Sequence, residues 1–540
     1  MTPDSIGRTG HRTRGTMTRR QLIARASGLA AAAIASGVAV EGGLGAAGLI
    51  PQASATDRDY TTRDTYDWLV SGVDTTPSPD ADESGRLSWQ RSPLMISYLT
   101  MFETTHDTVY LDRFVQCADQ ILDQRDNVRG VTDHAGNSLP RWRQGFRYGT
   151  GSVVVPDTAG RPALQVRIGS KGDALGWAGR LVISSPAPGQ YTFSSAALDA
   201  KNGGALPAQV FANLSLDPTS PNHVVDRLYW DLTNTYKTTV KDLRTDPSAA
   251  TTLALGEYDY TSEFISNFVG TGVITTCLAR FAAIVRSDAS LHPAYLAVSN
   301  SYAEAAWDAL ATFDDAWRDD GRVAWYTIDP EAPSVCAGAD YPHNQNLAAA
   351  NAYSHLWSAT RDTDARCRAR KLFQRFADDL APTATGYSWR YFRTGALGQT
   401  GWTREDHVST RIPYWGPYNH IEDVGHAYLD LMAAETGHTL GLVIDSSMMQ
   451  RIASTFTDQV ATRYPADYAT VALRGKPTTR QYVDGTGAYG TYDSLVGFWN
   501  LFAGFGTGIT EHAAAVMAQR AYGPTTIGAY PAMSAGFLVA

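Results

Sequence analysis

Leu356-Trp-Ser-Ala-Thr-Arg-Asp362 ends one amphipathic run, Asn346 to Asp362, and leads into a second, Ala365 to Leu380. Apolar residues recur at three- and four-residue intervals in both, the spacing of one helix face, so the segment predicts two helices joined by a tight turn. The same grammar occurs at Pro93 to Asp107 followed by Tyr110 to Leu122. It occurs again at Ala427 to Gly437, where Leu431-Met-Ala-Ala-Glu-Thr-Gly437 precedes Ser447 to Tyr464. Three copies of a helix, a Thr-x-Asp or Thr-Gly turn and a returning helix are an internal repeat. Ser262 to Val285 with Ala294 to Trp317, and Tyr492 to Phe505 with Thr510 to Tyr522, add two pairs of weaker likeness. Hairpins repeated five or six times stack into an open array or close on themselves. Unequal periods and long polar loops, Asp319 to Tyr341 and Thr383 to Tyr418, favour closure with a site at the loop end. The expected fold class is mainly α, an incomplete or closed (α/α)5-6 toroid.

One part departs from this grammar. Ala163-Leu-Gln-Val-Arg-Ile168, Gly179-Arg-Leu-Val-Ile183, Gly189-Gln-Tyr-Thr-Phe193 and Gln209-Val-Phe-Ala-Asn-Leu214 are short alternating runs punctuated by Gly and Pro, which predicts strands. Residues 146–250 are read as a β-rich insertion between a first helical part at 56–145 and the remainder at 251–540. Its Trp177, Tyr191, Tyr229 and Trp230 are expected mostly to fill the insertion's own core.

The beginning of the chain addresses a compartment. Thr18-Arg-Arg-Gln-Leu-Ile23, a small-residue apolar run and Ala53-Ser-Ala55 form a twin-arginine signal peptide over residues 1–55, with an A-x-A cleavage site. The expected product is secreted, with no membrane association after cleavage. The leader holds six Arg and two acidic residues, so its removal takes 45 basic against 54 acidic residues to 39 against 52, a net charge of −13 instead of −9. Nothing basic enough for a nucleic-acid partner remains. Thirteen Trp and 27 Tyr suit stacking on sugar rings as well as a large core. Cys117, Cys277, Cys336 and Cys367 are widely spaced and contain no zinc-type C-x-x-C pair.

Chemistry concentrates in two places. Arg411-Ile-Pro-Tyr-Trp-Gly-Pro-Tyr-Asn-His-Ile-Glu-Asp-Val-Gly-His-Ala-Tyr-Leu-Asp430 carries more polar side chains than a stretch of core can bury without partners. A helix beginning near Asn419 or His420 sets Glu422, His426 and Asp430 one turn apart on one face, which can align a general base with an orienting carboxylate. His420, Glu422, Asp423 and His426 do not follow a recognised zinc spacing, and no metal or other cofactor is expected. Asp340-Tyr-Pro-His-Asn-Gln-Asn346 opens another repeat helix, and His343, Asn344, Gln345 and Asn346 are expected to face the same cavity. Trp389 precedes the dense stretch, and a glycine-rich loop with Tyr482, Asp484 and Tyr489 follows it. Stacking tyrosines and a hydroxyl-accepting carboxylate there suit a sugar.

The hairpin grammar, the Pro-His-Asn-Gln-Asn helix start and the Glu-Asp-x-x-His helix resemble the α/α-toroid carbohydrate-active enzymes, a group of polysaccharide lyases, inverting glycoside hydrolases and sugar epimerases. The resemblance implies a polysaccharide or oligosaccharide substrate. By residue type it implies Asn344 or Asn346 and Arg411 as neutralisers of a uronate carboxylate, and His420, His426 or Tyr414 as base and acid of a β-elimination. Glu422 and Asp423 complete the catalytic candidates. Trp415, Tyr418 and Asn419 join His343, Trp389, Tyr482, Asp484 and Tyr489 as substrate-binding candidates. The alternative is an inverting hydrolase, whose two carboxylates would stand roughly 6.5–9.5 Å apart, drawn from Glu257 or Asp259 with Glu422 or Asp423. A non-catalytic glycan-binding protein would need the aromatic residues but not the His-Glu-Asp-His cluster.

Overall fold

The hairpin turns are built from two local devices used together. Helix α1 spans Arg63–Val70 and α2 spans Ser92–Thr105, ending on His106 in the left-handed conformation (φ 56°). Asp107 Oδ1 then accepts the Val109 N–H at 3.0 Å and starts α3, Val109–Leu122. The chain repeats this after α5 (Phe268–Ser287), α6 (His292–Ala311) and α7 (His343–Thr360): Arg361 is left-handed (φ 62°), and the Asp362 side chain accepts from Asp364 N and Ala365 N to cap α8, Thr363–Asp379. A left-handed residue stops the ladder and the aspartate satisfies the next helix's orphan donors. The third hairpin differs. Helix α9, Val424–Thr439, runs past Gly437, and α10, Ser446–Thr455, follows. Gly437 is no terminator: a Cβ there would stand 3.1 Å from Phe373 and 3.2 Å from Ile444, so the glycine lets the helices approach.

This computed structural model describes residues 58–73, 83–145, 149–169, 174–199, 204–524 and 528–540. The signal peptide at 1–55 lies outside the described residues.

The β part is larger and better integrated than an insertion on a helical frame. Strands β1 (Gly151–Pro156), β2 (Pro162–Ile168), β3 (Ala174–Ala187), β4 (Gln190–Asp199), β5 (Gln209–Leu214), β6 (Thr239–Asp242) and β7 (Gly256–Ser262) form one curled antiparallel sheet, ordered β5-β4-β3-β7-β1-β2-β6. Alternation puts Leu164, Val166, Leu181, Ile183, Tyr191, Phe193 and Phe211 into a core of their own, which α4, Val224–Trp230, covers with Leu228. The mainly-α (α/α)5-6 toroid expectation is therefore corrected: the chain is 46% helical and 18% strand, with a seven-stranded sheet. Glu257-Tyr-Asp-Tyr260, which looks like the lead-in to a helix, is instead the central strand β7, paired with both β3 and β1. Helical periodicity after it hid a strand whose inward residues are tyrosines. Where the chain leaves and re-enters the helices, Arg143 pairs with Ser266 and Gln144 with Ile265, so the β part is clasped at its base.

The helices pack in succession, α2 on α5, α5 on α7, α7 on α9, and α9 on a 3-10 helix at Asp493–Phe502. Helix α5 is the one described helix long and apolar enough to cross a membrane, and 89% of that window is buried inside the protein. Helix α11, Ile509–Arg520, covers the 3-10 helix. The last helix, α12 (Ala529–Val539), lies between the 3-10 helix and α2. Gly536 and Gly497 permit that contact, since Cβ atoms there would fall 3.1 Å from Ser97 Cβ and 2.2 Å from the Ser534 carbonyl oxygen.

Candidate functional site

Four backbone segments meet at the N-terminal ends of α7 and α9. His343 N donates to Tyr391 O, Tyr391 N to His420 O, Glu422 N to Trp389 O, Val483 N to Glu422 O and Val424 N to Gln481 O, all between 2.9 and 3.1 Å. The dense stretch is thus stitched between the Trp389–Tyr391 and Gln481–Val483 segments before α9 begins.

Asp423 holds the helix start and the histidine together. Its Oδ1 accepts the His426 backbone N–H at 2.9 Å, and its Oδ2 lies 2.7 Å from His426 Nδ1. With Nδ1–H donating to the carboxylate, the neutral ring carries its lone pair on Nε2. That atom is buried without a partner, and the Tyr391 ring stands 5.2 Å from the imidazole. Gln345 Nε2 donates to Tyr391 OH at 3.4 Å. Tyr418 packs 5.7 Å from Tyr391 and 4.1 Å from the exposed His420. Burial, reinforced by Glu422 and Asp423, pushes the Tyr418 phenol well up. Tyr492 hydrogen-bonds Asp423, and its phenol is likewise raised, first by burial. Gly425 makes its place, since a Cβ would meet the Tyr492 ring at 2.4 Å.

Beneath this layer lie two buried carboxyls. Glu422 Oε1 accepts the Asp423 N–H at 3.2 Å and stands 3.9 Å from His426 Nδ1, while Oε2 has no partner. Asp430 Oδ2 accepts Trp389 Nε1–H at 2.8 Å, and Oδ1 has no partner. Burial, then the charges of Asp430 and Asp423, raises Glu422 far above the carboxylate range. Burial also raises Asp430, against the Trp389 hydrogen bond. Both therefore hold a proton more tightly than a free carboxylate does. A raised carboxyl pKa means the folded state binds more protons than the unfolded one, so this contribution to stability is greatest near and below the unfolded pKa and is lost as pH rises toward the folded value. Glu422→Gln, a neutral isostere, should flatten the alkaline side of the stability profile, measured as melting temperature between pH 5 and 9. A parallel decline in variant and native protein would contradict the tighter proton binding.

Glu422, Asp423 and His426 each bring a donor atom within 4.8 Å of one another and are the described residues that could hold a metal. Asp423 Oδ2 already faces His426 Nδ1, so coordination through these two atoms would replace the hydrogen bond that orients the imidazole and leave the Oδ1 helix cap in place.

The other expected residues divide. Arg411 is buried and is no neutraliser: its guanidinium forks onto Glu263 at 2.5 and 3.2 Å and donates to Glu331 O at 3.0 Å. His343 is buried on Asp379 (3.0 Å) and does not face a cavity. Burial pulls its pKa down, against Asp379. Asn346 is spent on Tyr326 N, Tyr341 O and Pro342 O. Asn344 is 1% exposed, with Oδ1 unpartnered. His343 and Asn346 thus serve the junction of loops, while Gln345 reaches Tyr391. Trp389 is buried beneath the site, and Asn419 is exposed, its carbonyl accepting from Arg390 at 3.0 Å. Tyr482 pairs by its backbone with Asp423, whereas Asp484 closes its own turn through Thr486 and Tyr489 packs away with Tyr464 and Tyr468. Tyr414 and Trp415 lie in the loop facing the sheet. Gln345, expected to project into the cavity, does reach the site through Tyr391 OH, and Tyr391 and Tyr492, read only as members of aromatic groups before and after the dense stretch, join it there. Tyr492 had a visible signal, a tyrosine at the end of the glycine-rich loop opposite Gly425, but only folding brings it to Asp423. The clearest surface cavities, of about 340 and 490 Å³, are lined by other residues.

Comparison with protein-family models, curated proteins and solved structures found no match.

Proposed function

We propose that the chain is a carbohydrate-active enzyme that cleaves a uronate-containing polysaccharide by β-elimination. The observation that carries this reading is His426, oriented by Asp423 and packed against Tyr391, which in turn packs on Tyr418, itself against His420. Elimination needs a base for the C5 proton and an acid for the departing glycosidic oxygen. In this reading His426 Nε2 is the base, and the sugar reaches it by entering against Tyr391. Hydrogen-bond geometry of this kind commonly tightens only when substrate is bound. Tyr418 is the acid, because a phenol held protonated by burial and nearby negative charge can donate but not abstract. The twin-arginine leader supports action outside the cell.

Inverting hydrolysis is the second reading, favoured by one observation: Glu422 is a carboxyl that holds its proton more tightly than a free one, as a general acid must. Against it, Glu257 and Asp259 are exposed on the sheet and paired with Arg180 at 2.6 and 3.1 Å. Elimination creates a double bond conjugated to the uronate carboxylate and hydrolysis does not. Incubation with a panel of acidic glycans should therefore give rising ultraviolet absorbance, reduced about 100-fold or more in Tyr418→Phe. Reducing ends without absorbance would support hydrolysis, and no products from any glycan would leave a binding protein.

A further inference from the structure

Arg411 is locked onto Glu263 and Arg390 donates to the Asn419 carbonyl at 3.0 Å, and the sheet side of the molecule supplies a further cation for the sugar acid. Lys237 sits in a turn between α4 and β6. Asn234 pins that turn: its Oδ1 accepts Thr238 N at 2.9 Å, and its Nδ2 donates to Leu228 O and Thr238 O at 2.9 and 2.7 Å. The turn holds Lys237 in the left-handed region (φ 52°), uncommon for a long side chain. Lys237 is 9% exposed. Its ammonium stands 5.1 Å from the ring centroids of both Tyr414 and Trp415, and it makes no hydrogen bond or ion pair with the described residues.

Other buried cations nearby are answered. Arg411 has Glu263, Arg167 has Glu331 at 3.0 Å, and Arg404, which shares the Tyr414 ring, donates to Tyr229 O and Asp231 O. Lys237 has only two aromatic faces, and a buried charge without a counter-charge is costly. The cost shows in its acidity: burial pulls the ammonium down to about 8, with only the Cys336 thiol opposing. That thiol packs in one apolar cluster with Trp415 and Tyr341, and Trp415 stands three residues before Tyr418, the proposed acid.

We infer that Lys237 recognises a sugar carboxylate, with Tyr414 and Trp415 as the walls of that subsite. The inference rests on the reading of the chain as a uronate-glycan enzyme. A carboxylate entering the cage supplies the missing counter-charge, and the aromatic faces take the apolar side of the sugar ring.

The test uses the full chain and two probes, free glucuronate and its methyl ester, titrated against tryptophan fluorescence. Glucuronate should bind the native protein at least 10-fold more tightly than the ester. Lys237→Met should erase that preference without lowering the melting temperature, and Lys237→Arg should keep part of it. Should Lys237→Met fail to fold, Lys237→Gln reads the charge alone. Equal binding of the two probes, no binding of either, or a preference that survives removal of the ammonium would overturn the inference. So would a preference for glucose 6-sulfate with glucuronate excluded. Ultraviolet elimination assays on intact glycans report separately on the reaction, so activity without the probe preference sinks the subsite alone.

Discussion

Replacing His426 with alanine is expected to lower turnover by about 10²- to 10⁴-fold, the usual worth of a positioned general base, while the melting temperature stays near that of the native chain. The fold should tolerate the change because Asp423 accepts the backbone N–H of residue 426, not only the ring, so the helix cap survives. Alanine is also a good helix former. Asp423→Asn separates the two jobs of the aspartate. Asparagine caps as well as aspartate, but it lacks the charge that fixes the imidazole, so activity should fall by an intermediate factor with stability intact. Full activity in His426→Ala would remove the histidine from the reaction. Loss of activity together with loss of folding would make it a structural residue.

The second large effect is on stability. Arg411→Met should destabilise the chain by about 3–5 kcal/mol, measured by denaturant unfolding, because it takes the paired cation from the mostly buried Glu263 and leaves it only the Gln165 amide hydrogen bond. The value should fall at the low end of that range. Arg167 is held down partly by repulsion from Arg411, so removing Arg411 relieves it. Adding Glu263→Gln should recover much of the loss, since the cost comes from the stranded charge and not from the absent contact. A loss under about 1 kcal/mol would mean that water reaches Glu263 and that the pair does not bind the sheet to the Ser409–Ile412 segment.

The same arginine shows where sequence reading stops. Arg411 stands in a run of polar residues, and nothing local separates a ligand-binding guanidinium from one paired to a carboxylate 148 residues away. His343 and Asn346 misled for a related reason: a helix start that joins several loops needs as many hydrogen-bonding side chains as one that binds substrate. The hairpin turns were legible because Asp107 and Asp362 act within three residues of themselves. The Glu422, His426, Asp430 stripe was legible because helical spacing fixes it. Strand β7 was not, because its partners β1 and β3 lie about 75 to 110 residues earlier. Lys237 had no signal at all, since its two rings come from a distant loop.

The seating of α12 against α2 has a consequence for biosynthesis. More than 400 residues separate the two helices, so at about 5–20 residues per second the apolar surface of α2 waits for its cover on the order of tens of seconds. Ser97, opposite Gly536, lies on the face of α2 that α12 covers, so that face is open to other hydrophobic chains until α12 has been made. Chains lacking α12 should therefore be recovered as aggregates instead of folded protein, and the yield of native protein should depend on holding chaperones more than on the speed of any single helix.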